Sequence, residues 1–410
     1  MRVLVAHNRY RFSGGEDSVV RNEIEMLQAA GHEVATLEAD NRVIEGTMAK
    51  VAAAGSAFHS PRSRRRMDSI VREFQPDVVH VHNWFPLLSP SVITAAAERG
   101  VPVVQTLHNF RMVCAAANLF REGSICCDCL GKNLPVAPVL HGCYAGSRLG
   151  SATVTAAFAW HRLAHTWKSV SIFIVLSKFQ RDLLVRGGLD ASKTVVKPNF
   201  VRRFGLDAVG TGKGGFALFA GRLVPEKGIR TVLRAWEENS HLPLLKIMGD
   251  GPLENEVRAR SLRLPHVEYL GQQPRPAVAE AMGDALALVF ASEGFEAFPL
   301  VILESFAAGT PVIAANLPSL AELVDDGETG LRFEPGDACD LAAKVGLIRA
   351  VTGAYQEMRL RCRLIYEQRY TETVNYGLLM DAYARAGAPS ASHTSLLHES
   401  DREACEGAEP

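Results

Sequence analysis

The feature that most constrains this chain is an alternation that occurs twice. Short, almost wholly apolar runs are each followed by a stretch with helical spacing, in two blocks separated by a glycine-rich stretch. In the first block the runs are residues 3–6, 34–37, 77–81, 101–107 and 172–176. A helical pattern follows the first of them, with Val20, Ile24 and Leu27 on one face and Gly31 as a stop. Near-continuous apolar runs of this length suit parallel strands covered on both faces. Residues 201–215 carry Gly205, Gly210, Gly212, Gly214 and Gly215 and read as a link. The alternation then restarts at 216–220, 244–248, 267–270, 285–290 and 311–314. The expected fold class is α/β, with two tandem Rossmann-like doubly wound domains facing across a cleft.

The boundaries follow from that pattern. Residues 1–200 form a first domain that includes a cysteine-bearing loop at 114–143, and residues 201–370 form a second. Residues 371–386 read as a helix crossing back to the first domain. Residues 387–410, rich in Ser, Ala and Glu, read as a disordered tail. A length of 410 residues is too great for one ordinary core. The net charge of −1 gives no reason to expect nucleic acid as a partner. No apolar run reaches the roughly 20 residues of a membrane span, and the opening apolar stretch is too short for a signal peptide, so a cytoplasmic location is expected.

Ligands of open α/β sheets bind beyond the carboxyl ends of the strands, so those loops are where chemistry is sought. After 216–220 comes Gly221-Arg222-Leu223-Val224-Pro225-Glu226-Lys227-Gly228. Arg222 and Lys227 bracket a helix start and suit phosphate oxygens, although two solvated surface cations are an equal reading. After 244–248 the turn Gly249-Asp250-Gly251-Pro252 brings backbone to the same edge, as any strand-to-helix turn would. After 285–290, Glu296 precedes a helix expected to open at Pro299 and close at Gly309. Glu304 in that helix has Leu300, Val301, Ala307 and Ala308 as neighbours three and four positions away. A carboxylate in such a stripe needs a partner. A ribose diol would serve, and so would a salt bridge.

In the first domain, Gly14-Gly15-Glu16-Asp17 opens a helix and makes either an anion-friendly corner or a capped loop. His108 ends the strand at 101–107 and faces the cleft. His80 and His82, on the preceding strand, read as structural.

Taken together, these residues resemble the retaining glycosyltransferases of family 4, which have the two-Rossmann B-type fold (GT-B). The resemblance rests on G-R-x-x-x-x-K-G at Gly221–Gly228, on the E-x7-E pair Glu296 and Glu304, and on Lys197-Pro198-Asn199-Phe200, Gly249-Asp250-Gly251-Pro252 and Gly14-Gly15-Glu16-Asp17. It covers the chain to about residue 386 and is closest to bacterial exopolysaccharide and lipopolysaccharide glycosyltransferases. It implies that Arg222 and Lys227 hold the donor diphosphate with Gly15 near the phosphates, that Gly251 belongs to the donor site, that Glu304 binds the ribose, and that Glu296 and His108 act at the transferred sugar. It implies a nucleotide-diphosphate sugar donor, a glycan or lipid-diphosphate-linked acceptor, and no cofactor for catalysis. Pro299 stands where many relatives have a glycine, so sugar selectivity does not carry over. Two other readings stay open: a nucleotide-sugar 2-epimerase, and a degenerate protein that only binds the nucleotide sugar.

Two clusters remain. Cys126 and Cys129 form a C-x-x-C pair, with Cys114 before and Cys143 after, a set that could hold a structural zinc or remain as reduced thiols. Arg62, Arg64, Arg65 and Arg66 are either a solvated face or a contact with anionic membrane at the inner face of the cell membrane.

Overall fold

The computed structural model describes residues 1–11, 14–202, 209–350 and 352–389. Its strands, in chain order, are β1 (Arg2–Arg9), β2 (Glu33–Asp40), β3 (Val78–Asn83), β4 (Val103–Leu107), β5 (Phe120–Arg121), β6 (Ser124–Ile125), β7 (Ile172–Val175), β8 (Thr194–Val196), β9 (Phe216–Ala220), β10 (Leu244–Met248), β11 (Val267–Gly271), β12 (Ala287–Phe290), β13 (Val312–Ala315) and β14 (Gly330–Phe333). Two parallel six-stranded sheets result, ordered β2-β1-β3-β4-β7-β8 and β11-β10-β9-β12-β13-β14. The fold is two tandem Rossmann-like domains. β5 and β6 form a separate antiparallel hairpin inside the cysteine-bearing loop.

The apolar runs become strands because each is covered twice. In the first sheet Val3 and Val5 belong to one core and Leu4 and Ala6 to the other, the period-two alternation of a strand between two layers. The helix Gly15–Ala29 covers one face with Val20, Met26 and Leu27. The helix Glu372–Arg385 returns to that same face, placing Leu379, Ala382 and Tyr383 in its core. The second domain has one large core around Trp236, Ile302, Phe306 and Tyr366.

Besides the hairpin β5–β6, two strands of the large sheets lie outside the expected set. β8 and β14 are the outer strands of their sheets, short and only partly covered, so neither carries an apolar run. The glycine-rich stretch also differs from a free link where it is described. Gly210 N–H donates to Ala308 O, Gly212 N–H to Gly283 O and Gly214 N–H to Asp284 O, and the buried Arg359 guanidinium donates to Gly210 O at 2.8 Å. Those residues belong to the second domain. Residues 203–208, with Gly205, and 390–410 of the tail lie outside the described residues.

The domains touch through a small set of contacts. Both oxygens of Glu322 accept from the N–H groups of Lys178 and Phe179, 2.9 Å each, so a second-domain carboxylate caps a first-domain helix. Phe179 and Phe295 rings meet at 4.7 Å.

Candidate active site

In each sheet the strand order reverses beside its first strand, between β1 and β3 and between β9 and β12. Such switch points leave a crevice at the carboxyl ends. The two crevices face each other across a cavity of about 520 Å³, lined among others by Gly15, Glu16, His108, Arg222, Lys227, Glu296 and Glu304.

Three loops of the second domain are pressed together to build its wall. Gly228 has φ +67°, and a Cβ there would lie 1.8 Å from Ala291 O. Gly249 has φ +149°, with Gly221 O 1.9 Å from where a Cβ would stand. Only glycine satisfies both the backbone angle and the approach. Glu293 N–H donates to Glu226 O, locking the loop after β12 onto the one after β9.

That packing sets the charged groups. Lys227 Nζ lies 2.6 Å from Glu296 Oε1, which also accepts from Ser292 Oγ at 2.5 Å. Arg222, exposed at the same edge, has no ion-pair partner among the described residues. Glu304 lies on the helix Leu300–Ala307, 3.2 Å from Arg275. Burial raises its carboxyl above the ordinary value and Arg275 opposes that. Its partner is therefore a salt bridge, and both residues line the cleft. Gly249 and Asp250 line the cleft, whereas Gly251 packs on Leu223, whose carbonyl would lie 2.6 Å from an added Cβ.

From the first domain, the opening turn of Gly15–Ala29 approaches that of Leu300–Ala307: a Cβ on Gly15 would lie 3.3 Å from Leu300 Cδ1. Two helix N-termini thus converge between Arg222 and Lys227 on one side and His108 on the other, an arrangement that favours an anion. Glu16 beside them is pushed up to about 8, first by burial, so it is largely uncharged at neutral pH.

His108 is backed by a network that the sequence did not reveal. His82 Nδ1 lies 3.0 Å from His108 Nε2, and the rings stack. His82 Nε2 lies 3.2 Å from Glu23 Oε1, and Lys197 Nζ donates to Glu23 Oε2 at 3.0 Å. Burial alone would raise the Glu23 carboxyl, but Lys197, His80 and His82 hold it well below its ordinary value. Burial lowers His82 to about 3 and takes His108 well below its ordinary value. The set is a carboxylate, two neutral imidazoles and a cation. His80 belongs to the same network: its Nδ1 lies 3.0 Å from Glu23 Oε1 and 2.9 Å from Tyr383 Oη, with Thr106 Oγ1 2.8 Å from Nε2. His82 lies between Glu23 and His108. The signal was a glutamate three residues from Val20 and four from Leu27, on an apolar helix face.

Among the described residues, Glu23, His80 and His82 are the one group of three metal-capable side chains with ligand atoms within 4.8 Å of one another. The ammonium of Lys197 on the carboxylate, and a His80 with both nitrogens engaged, suit an ion-pair network and not a cation. The four thiols that could hold a zinc or remain as reduced thiols are not gathered to that distance. They are neighbours, since Cys129 is pushed up to about 12 by burial and then by Cys114, Cys126 and Cys143. The cysteine-bearing loop meets the site through Phe120, whose ring lies 3.2 Å from a Cβ built on Gly294. Of the basic cluster, Arg64 pairs with Glu98 and Arg66 donates to Glu38 O, while Arg62 and Arg65 have no ion-pair partner among the described residues.

Comparison with known proteins gives consistent matches across both halves. Residues 14–199 match the family model described as Glycosyl transferase 4-like domain, and residues 209–362 match Glycosyl transferases group 1. An uncharacterized glycosyltransferase of Methanocaldococcus jannaschii is 34% identical over 132 residues, which is 32% of this chain and 37% of that protein's length. The phosphatidyl-myo-inositol mannosyltransferase of Mycolicibacterium smegmatis is 27% identical over 393 residues, 92% of this chain and 89% of that protein. Among solved structures, HepE of Anabaena in complex with UDP is similar with a TM-score of 0.66 at 16% identity, covering 94% of this chain and all of that one.

Proposed function

We propose that this chain, which belongs to the family 4 glycosyltransferases, moves a sugar from a nucleotide-diphosphate sugar to a glycan or lipid-diphosphate-linked acceptor with retention of anomeric configuration, in cell-surface polysaccharide synthesis. One observation carries the reading. Arg222, Lys227, Glu296 and Glu304 from the second switch point face Gly15 and His108 from the first across a single cleft.

Each group has a task that its chemistry suits. The diphosphate takes the place between the two helix N-termini, with Arg222 and Lys227 as its cations. Glu304 accepts from the ribose hydroxyls, and Arg275 holds its far oxygen in place. Glu296 and His108 address hydroxyls of the transferred sugar. As the bond from the anomeric carbon to the diphosphate oxygen breaks, negative charge grows on the leaving diphosphate, and the acceptor hydroxyl bonds to that carbon as it gives its proton to the departing phosphate oxygen. Preorganised cations and amides stabilise that charge directly. Catalysis on this reading needs no cofactor, because the chain's own cations meet the leaving group. UDP in HepE supports the donor class, and the phosphatidyl-myo-inositol of the mannosyltransferase's name supports a lipid-bearing acceptor.

The test is a thermal-shift screen of UDP-, GDP- and ADP-sugars, followed by anomeric analysis of the product by NMR. A donor at about 100 times its Kd adds about 2.7 kcal/mol to stability. A product with inverted configuration, or donor turnover that yields free sugar without any acceptor, overturns the reading.

A further inference from the structure

The outer side of the first domain carries a surface that donor chemistry does not use. Helices Gly46–Phe58 and Arg148–Leu163 lie together, and His161 Nε2 meets Ala57 O at 3.0 Å. The inner side of the second helix is buried through Val154, Ala157, Phe158 and His161. Its outer side is as apolar as its inner one. Leu149, Ala152, Ala156, Trp160 and Leu163 recur at helical spacing along one stripe. Leu149 is 80% exposed, Trp160 56% and Leu163 78%. On the neighbouring helix Met48 is 82% exposed and Val51 62%. A soluble surface does not ordinarily leave so many large apolar side chains open together.

The chain segments that carry them are basic. Residues 129–181 contain six Lys and Arg and no Asp or Glu, and residues 46–67 contain five Lys and Arg and no Asp or Glu, in a chain with 45 acidic residues. Arg62 and Arg65, exposed, begin the next helix, Pro61–Phe74, only two residues after Phe58. Apolar side chains carried on segments rich in cations and without carboxylates of their own match the boundary between acyl chains and anionic headgroups. A second copy of the chain fits less well, because a two-fold contact would set these cations against themselves. No helix among the described residues is long and apolar enough to cross a membrane, so the contact is at the surface.

We propose that this face docks on an anionic lipid bilayer, with Met48, Val51, Leu149, Trp160 and Leu163 entering the headgroup boundary and Arg62, Arg65 and Arg148 among the headgroups. The proposal stands independently of the donor reading.

Co-sedimentation with vesicles tests it. The full chain binds phosphatidylcholine vesicles containing phosphatidylglycerol at low salt and releases them as salt rises. It does not bind vesicles of phosphatidylcholine alone. W160A/L163S and R62Q/R65Q each lower the partition by roughly tenfold or more, while the thermal shift given by UDP stays the same. Three results overturn the proposal: no binding to the anionic vesicles at low salt, partition unchanged in both variants, or a stable dimer by light scattering that L163E converts to monomer.

Discussion

Lys227 Nζ sits 2.6 Å from Glu296 Oε1, so the cation assigned to the diphosphate and the carboxylate assigned to the sugar are partners before any donor arrives. A donor must divide this pair between its two halves. The site then discriminates for a ligand carrying an anion and hydroxyls at the matching separation, because either alone leaves one partner poorly served.

Lys227→Ala tests this. Losing a cation that acts on the leaving group costs on the order of 2–4 kcal/mol in the transition state, roughly 30- to 1000-fold in kcat/KM. Glu296 keeps Ser292 Oγ and partial access to water, so the fold loses about 1 kcal/mol or less. Steady-state kinetics and a melting curve on one preparation separate the two. Near-normal turnover sinks the assignment.

Glu304→Gln separates ribose recognition from structure. Burial opposes the charge on Glu304, and Arg275 is half-exposed, so water readily replaces the lost ion pair. The apo melting temperature stays within about 2 °C or rises. Affinity for the nucleotide falls roughly tenfold or more, as for loss of a hydrogen bond to a charged acceptor. Calorimetric titration with UDP reads it. A large drop in apo stability with unchanged affinity would make the carboxylate structural.

What was legible in the sequence is what is local. Residues 216–220 and 244–248 announce β9 and β10 because strands buried on both faces must be apolar throughout. Gly228 and Gly249 mark loops pressed against a neighbour. Arg222, Lys227, Glu296 and Glu304 follow from positions beyond strand ends. The edge strands β8 and β14 escaped because half-covered strands need no apolar run. Glu23 and Lys197 are 174 positions apart, and Arg275 and Glu304 lie on different helices. A single sequence holds no sign that such groups meet, only that Glu23 on an apolar face must meet something.

Glu16 gives a pH signature. Its carboxyl titrates near 8 in the fold, against an ordinary value of 4.5. The folded protein therefore binds more protons than the unfolded chain between those values, and stability falls as pH rises through that window. The contribution is on the order of several kcal/mol across it. His82, lowered to about 3, acts with the opposite sign and only below its ordinary value of 6.5. Glu16→Gln should flatten the decline between pH 5 and 8, leaving melting temperature higher at pH 8 than in the unsubstituted protein. A parallel pair of pH–stability curves would refute the shift.

The last prediction concerns how His108 is held. Glu23, ionised beside Lys197, attracts a proton to the nearest nitrogen of His82, Nε2 at 3.2 Å. A neutral imidazole carries one proton, so His82 Nδ1 is then a lone pair, and the proton between the stacked rings belongs to His108 Nε2. His108 Nδ1 is left as an acceptor toward the cleft, able to take a hydroxyl proton from a sugar. Nitrogen-15 NMR of histidine-labelled protein reads this directly, with His108 protonated at Nε2 at neutral pH. His82→Gln, which keeps an acceptor and a donor in the gap, should lower kcat by roughly tenfold while changing donor KM little, since it disturbs orientation and not contact. His108 found protonated at Nδ1, or a His82→Gln enzyme with unchanged kcat, would show that Glu23, Lys197 and His82 serve only the fold.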